Sequence, residues 1–533
     1  DSTRLAFAAG VSTDPDEQKA VESKDEKKPQ PTMVIERAGY KADGAGYTGN
    51  RRQHLFVIDL STREIDQRTE GDCNNDKPAW SPDSRHIAFR TNRLPRWDVS
   101  LESDIYLIPA EGGEARRLTS GGAFTTPIFS PDGERVAFTG AADPEMQFGT
   151  PDRIYSVARS GEDLRDELGE WDGHVGNWVI GDVVQPDEML CNTWTQTGIS
   201  FLGTERGEAN VYRCNGQTVH AVTTGAHDVT GFSFSQGGAL AYTRADSADL
   251  AEVYVKRGEA TEQLTRENQS FLSEVWIGRP ERFSYRGANG EAGEARLLAP
   301  RGAATGKHPL LVYIHGGPEF AYGESLFFEY QYLAGQGFGV LFPNIHGSAS
   351  YGSRYMGSIL KDWGNLDYQD VLAVTREGMA RPWVDGERLG ILGGSYGGYM
   401  TLWTMGHTDL FRAGMAERCV SNFVSFMGTS DGGWMWNRIM GAYPEENVQK
   451  LWDMSPLKYI AAVTSPLMLM HSENDDRTPI EQGEQAFLAL RRLGVETRFV
   501  RFPEESHGLS RMGKPSRRVE RLELILEWFR RWL

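Results

Sequence analysis

The stretch RLGILGGSYGGYMTLWTM, residues 388–405, decides the fold. An apolar run goes straight into Gly-Gly-Ser-Tyr-Gly-Gly and restarts as helix-compatible sequence, which requires a turn too tight for side chains on either side of Ser395. Gly393-Gly394-Ser395-Tyr396-Gly397 fits the pattern G-x-S-x-G in the context that pattern needs, a strand before and a helix after. The pattern alone is weak in a chain with 60 glycines, so its meaning depends on what the rest of the chain supplies.

A serine hydroxyl is a poor nucleophile unless a base takes its proton and a carboxylate holds that base, here expected in the chain order serine, acid, histidine. Three histidines follow Ser395. His407 lies on the helix leaving the turn and would point away. His471 ends an apolar strand ahead of the acidic loop, which violates the order. His507, in FPEESHGLS behind the strand-like TRFVRF, is left as the base. The acid is sought in HSENDDRTP, where Glu473, Asp475 and Asp476 stand just past a strand end, the place where open α/β sheets put their sites. Attack on a carbonyl also needs N–H donors for the oxyanion. Tyr396, after the serine, offers one; the loop YIHGGPEFAYG, with Gly316 and Gly317, offers a second.

Working outward, HPLLVYIHGGP (308–318), GFGVLFPN (337–344), RLGILGGS (388–395) and SPLMLMHSEND (465–475) are continuously apolar runs, as strands covered on both faces require. Between them LDYQDVLAVTREGMA and EQGEQAFLALRRLG read as helices. The terminal SRRVERLELILEWFRRWL carries Val519, Leu522, Ile525, Phe529 and Trp532 at helical spacing, predicting one apolar face. Strand and helix alternate, so the C-terminal half is expected to be a doubly wound, mostly parallel sheet.

The first half is organised by repeats. SPDSRHIAF (81–89) and SPDGERVAF (130–138) match each other, and the chain opens on DSTRLAF as though inside a third copy. Taking Asp1, Asp83, Asp132, Asp187 and Gly237 as equivalent gives intervals of 82, 49, 55 and 50 residues. The long one contains STDPDEQKAVESKDEKKPQP (12–31), a charged stretch that reads as an inserted loop. A period near 50 with alternating strands predicts an N-terminal β-propeller with at least five blades visible. The boundary is expected at 272/273, with residues 1–272 the propeller and 273–533 the α/β domain, and the propeller truncated at its start.

With 533 residues, 39% hydrophobic and 24% charged, the chain is globular and large enough for two domains. Its 74 acids against 56 bases give −18, which argues against a nucleic acid partner. No apolar run approaches 18 residues, so no membrane helix is expected. Cys73, Cys191, Cys214 and Cys419 are scattered, as free thiols of a reducing compartment would be, and the expected location is cytoplasmic.

IHGGP, PNIHGSASYG, DWGNLDYQD, LGILGGSYGGYMT and HSENDDRTP…SHG occur together, in order, behind repeats of the SPDG type. The chain thereby resembles the prolyl oligopeptidase family of serine peptidases, most of all its acylaminoacyl-peptidase branch. The resemblance implies a seven-bladed propeller capping an α/β-hydrolase domain and admitting short peptides. It implies Ser395 as nucleophile, Asp475 as the acid, His507 as base, and Gly317 and Tyr396 as oxyanion donors. Arg477 corresponds to a cation that binds a substrate carbonyl, and Trp434 and Trp436 to an aromatic specificity pocket. One departure is visible: Ile345 and His346 stand where the family commonly has Pro-Arg.

Two other signals fail on context. Gly44, Gly46 and Gly49 spell GxGxxG with no helix behind them, and GAATGKH (302–308) has the wrong spacing for a phosphate loop. No metal-ligand spacing is present, so neither cofactor nor metal is expected. Within the resemblance a carboxypeptidase remains an alternative. It would need a cationic pocket, and the sequence does not place Arg37, Arg51, Arg52 or Arg93 relative to Ser395. A lipase or carboxylesterase, and a non-catalytic propeller scaffold, are the competitors outside it. A homo-oligomer is left open.

Overall fold

The computed structural model describes residues 3–12, 32–183 and 192–533. The expected inserted loop from residue 13 to 31, the repeat positions Asp1 and Asp187, and Cys191 lie outside the described residues. The chain forms two compact units, Asp1–Val175 with Leu190–Phe201 and Tyr212–Val222, and Gly176–Met189 with Leu202–Val211 and Thr223–Leu533.

The first unit is antiparallel β-sheet. Arg4–Ser12, Arg51–Asp59 and Ile65–Gln67 make a three-stranded sheet. Asn75–Trp80, His86–Thr91, Asp104–Pro109 and Arg116–Arg117 make a four-stranded one, and Ala123–Phe129, Arg135–Ala141, Arg153–Ala158 and Arg165–Asp166 another. The repeated SPD turns have one chemistry. Ser81 Oγ donates to Asp83 Oδ1 at 2.5 Å and accepts from the His86 N–H at 2.9 Å; Ser130 Oγ donates to Asp132 Oδ1 at 2.6 Å and accepts from the Arg135 N–H at 3.0 Å. The motif recurs because each serine-aspartate pair satisfies the backbone of a tight hairpin.

The second unit contains a further four-strand meander, Asp228–Phe234, Leu240–Asp246, Asp249–Arg257 and Ala260–Gln263. Its main body is an eight-stranded sheet: β1 (Glu281–Arg286), β2 (Ala292–Leu298), β3 (His308–Ile314), β4 (Gly339–Asn344), β5 (Val384–Gly394), β6 (Ala413–Glu417), β7 (Leu467–Ser472) and β8 (Thr497–Phe502). The order is β1-β2-β4-β3-β5-β6-β7-β8, antiparallel at β1/β2 and β2/β4 and parallel elsewhere. The expected mostly parallel, doubly wound sheet is therefore present. Helices α1 (Phe328–Gly335), α2 (Leu366–Met379), α3 (Tyr396–Met405), α4 (Glu481–Leu493) and α5 (Pro515–Trp532) join and cover it.

β3, β4, β5 and β7 fall where the apolar runs predict. β6 does not announce itself, because Ala413-Gly-Met-Ala-Glu417 has little side-chain surface; it is a strand because β5 and β7 pair with it on both sides. The face of α5 differs from expectation. Val519 is 56% exposed, while Arg521 is buried beside Ile525, Leu526, Trp528 and Phe529. Arg521 turns inward because two buried carboxylates require it. Nε and Nη2 donate to Glu417 at 2.7 Å each, and Nη1 donates to Glu329 at 2.9 Å. Charge pairing at one position outweighs apolar periodicity there.

At the position of the Pro-Arg departure, His346 is buried. Its Nδ1 lies 2.6 Å from Asp370 Oδ2 and its Nε2 3.4 Å from Glu291. Burial would lower its pKa, but those two carboxylates raise it. The two carboxylates thus favour the charged form of the imidazole at this place in the fold.

Candidate active site

Ser395 stands between β5 and α3 at φ 62°, ψ −122°, a region that costs a non-glycine residue strain. The flanking glycines explain how it is held. A Cβ on Gly393 would lie 2.5 Å from the Ile314 carbonyl oxygen, and one on Gly397 2.1 Å from the same atom. β3 and α3 approach the turn so closely that neither position admits a side chain. The Ser395 N–H donates to the Glu417 carbonyl at 3.0 Å, and its own carbonyl accepts from Tyr399 N–H at 2.9 Å.

The carboxylate of Asp475, just past β7, is buried. Its Oδ1 accepts from the Thr478 N–H at 2.7 Å, and its Oδ2 lies 2.8 Å from His507 Nδ1 and 3.0 Å from Thr478 Oγ1. Burial alone would raise its pKa, but His507 and His471 hold it well below the usual carboxylate range. An ionised carboxylate only accepts, so His507 Nδ1 carries the proton and Nε2 is left as the basic atom. The other two acids go elsewhere. Glu473 pairs with Arg501 at 3.1 Å, and Asp476 presents its backbone carbonyl to Asp431 N–H at 2.8 Å.

Ser395, His507, Gly316, Gly317 and Tyr396 line one cavity of about 220 Å³. A Cβ on Gly316 would stand 3.3 Å from Ser395 Cβ, so the main chain of the Gly316-Gly317 loop faces the serine. Tyr396 is the first residue of α3, and the N–H groups of a first helical turn have no partner inside the helix. Arg477 reaches the cavity while forked onto Asp431, Nε at 2.7 Å and Nη2 at 3.2 Å. Trp436 lines it, with its ring against Phe426 and Nε1 donating to Ser430 Oγ at 3.2 Å. Trp434 is not brought to the lining; its carbonyl accepts from Tyr443 Oη.

The histidines set aside from the sequence are elsewhere. His407 lies past the end of α3 with Nδ1 2.7 Å from the Trp403 carbonyl. His471 sits behind Asp475, its Nε2 2.7 Å from the Thr478 carbonyl and 3.5 Å from Asp475 Oδ2. Sequence reasoning missed Trp363, Phe426, Thr478, Arg418 and Arg511, all of which line the cavity. Thr478 carried a signal, three residues after Asp475 as a capping hydroxyl would be; the others carried none.

Residues 324–533 match the prolyl oligopeptidase family. An uncharacterized peptidase YuxL of Bacillus subtilis is 34% identical over 93% of this chain and 77% of its own length. The chain belongs to the prolyl oligopeptidase family. It is a serine peptidase of that family. A dipeptidyl-peptidase 5 of Porphyromonas gingivalis is 28% identical over 85% of this chain and 66% of its own length. Among solved structures, the acylaminoacyl peptidase of Pyrococcus horikoshii is 27% identical, with a TM-score of 0.83 over all of this chain and 80% of that one. This family member is thus acylaminoacyl-peptidase-like in structure. No described helix is long and apolar enough to cross a membrane.

Proposed function

We propose that the protein cleaves short peptides through an acyl-enzyme, with Ser395 as nucleophile, His507 as base and Asp475 as the acid that orients it. The observation that carries this reading is the Asp475–His507 pair at 2.8 Å, with His507 lining the same cavity as a serine held at positive φ. His507 Nε2 takes the Ser395 proton as the hydroxyl attacks, and returns it to the leaving amine. The N–H groups of Gly317 and Tyr396 receive the developing oxyanion, and Arg477 receives a substrate carbonyl. Trp363, Phe426 and Trp436 form the wall for the side chain before the cut.

The sheets at about fifty-residue spacing are read as blades of an N-terminal propeller over residues 1–272, with 273–533 as the hydrolase domain and the propeller limiting access to short peptides. Their antiparallel order and shared turn chemistry support this. The compact units group residues 176–189, 202–211 and 223–272 with the sheet that carries Ser395. Three buried free thiols, Cys73, Cys214 and Cys419, support a cytoplasmic location.

The relatives' names offer two modes, that of an acylaminoacyl peptidase and that of a dipeptidyl-peptidase. Among the described residues no carboxylate lines the Ser395 cavity. Labelling by a fluorophosphonate probe tests the nucleophile: Ser395 is labelled, and Ser395→Ala abolishes both labelling and hydrolysis. A folded, unlabelled wild-type protein refutes the reading. Turnover of acetylated against unblocked peptides of the same sequence separates the modes.

A further inference from the structure

The lining of the Ser395 cavity also carries cations. Arg418 follows β6 at φ 39°. Its guanidinium lies so close to the turn that a Cβ on Gly394 would be 2.8 Å from its central carbon. Nη1 donates to Ser510 Oγ at 3.2 Å and lies 3.3 Å from Glu417, while the buried Nε has no hydrogen-bond partner among the described residues. Arg511, one turn of chain after His507, lines the same cavity, and its buried Nε also lacks a partner among the described residues. Burial and the nearby Arg418 push its pKa down to about 10, which still leaves it a cation at neutral pH.

The acids that face Arg511 are Glu417 and Asp182, and both are committed. Glu417 gives each oxygen to Arg521, and Asp182 accepts from the N–H groups of Phe328 and Glu329 at 2.8 and 2.9 Å. Neither guanidinium is forked onto a carboxylate of its own, and each keeps a buried Nε donor without an acceptor among the described residues. A buried donor left unpaired is costly unless a ligand supplies the acceptor, and a guanidinium fork matches a carboxylate best.

The position says which carboxylate. His507 hands its proton to the leaving amine, and Arg511 stands on the segment that immediately follows His507. In an amino acid the α-carboxylate carbon is only about 2.5 Å from the amine nitrogen. We propose that Arg418 and Arg511 form a subsite for the free α-carboxylate of the leaving residue, so that the preferred substrates are blocked peptides ending one residue after the scissile bond. This rests on the peptidase mechanism proposed above.

The test compares kcat/KM for acetyl-Phe-Ala with that for acetyl-Phe-Ala-amide. The wild-type protein is expected to favour the free acid by between about tenfold and a hundredfold, the range for losing a hydrogen bond to a charged group. In Arg511→Gln the ratio falls toward one, and Arg511→Lys restores most of it. Product inhibition by alanine but not by alaninamide gives the same reading without a variant, should Arg511→Gln fail to fold. Equal rates for acid and amide in the wild type, or an unchanged ratio in Arg511→Gln, overturn the subsite while the peptidase reading stands. Failure to cleave either peptide together with no fluorophosphonate labelling removes the peptidase reading and the subsite with it.

Discussion

Replacing Asp475 by asparagine keeps the shape of the site and reverses one hydrogen bond. The Thr478 N–H reaches Oδ1 at 2.7 Å and needs an acceptor, so the amide oxygen of the new side chain stays there. The NH₂ group then occupies the Oδ2 position, 2.8 Å from His507 Nδ1. Two donors cannot share that contact. The imidazole must move its proton from Nδ1 to Nε2, and Nε2 can then no longer accept the Ser395 proton. The expected loss is about 10⁴ in kcat, or roughly 5.5 kcal/mol of barrier. KM should move little, because no substrate contact changes. Single-turnover acylation with a blocked peptide, with the fluorophosphonate labelling rate as a second readout, measures the effect. A variant within about tenfold of wild type would refute the tautomer argument and with it the choice of Asp475 over Glu473 and Asp476.

Three further outcomes follow from the packing. Gly397→Ala places a methyl group 2.1 Å from the Ile314 carbonyl oxygen, and the main chain cannot yield without displacing β3 or α3; thermal unfolding should show a loss of more than about 3 kcal/mol or no soluble protein, and a wild-type Tm would show the elbow to be looser than described. Arg521→Met strands Glu417 and Glu329 as buried charges and should cost about 3–5 kcal/mol in denaturant unfolding at pH 7, with a loss under about 1 kcal/mol contradicting the pairing. Burial works against ionisation of Glu417, but Arg521, Arg418 and His507 bring its pKa down to about 2 from 4.5. Being depressed on folding, this group stabilises the protein above pH 4.5 and loses that contribution as pH falls toward 2, by roughly 3 kcal/mol. Glu417→Gln should therefore be less stable at pH 7 yet have a shallower acid transition than wild type. Parallel pH–stability curves for the two proteins would contradict this.

Much of the catalytic half was legible in the sequence because the signals are local. A strand buried on both faces has to be apolar along its length, which marks β3, β4, β5 and β7. A serine at positive φ between two closely approaching elements has to be bracketed by glycine. The chain order of serine, acidic loop and histidine narrowed the candidate base to His507. What stayed hidden depends on partners distant in sequence. No local property of HSENDDRTP distinguishes its three acids; the family resemblance pointed to Asp475, and it is folding that gives this one the Thr478 N–H and the His507 imidazole. Likewise, the helical period of α5 cannot say that Arg521 turns inward, because Glu329 and Glu417 come from other elements. The arginines beside the serine follow the same logic. Periodicity and backbone conformation are properties of neighbouring residues, so sequence alone determined the strands, the elbow and the order of the groups. The energy of a buried charge is fixed by whichever groups surround it after folding, so only the tertiary structure decided which tryptophan and which further arginines line the cavity of Ser395.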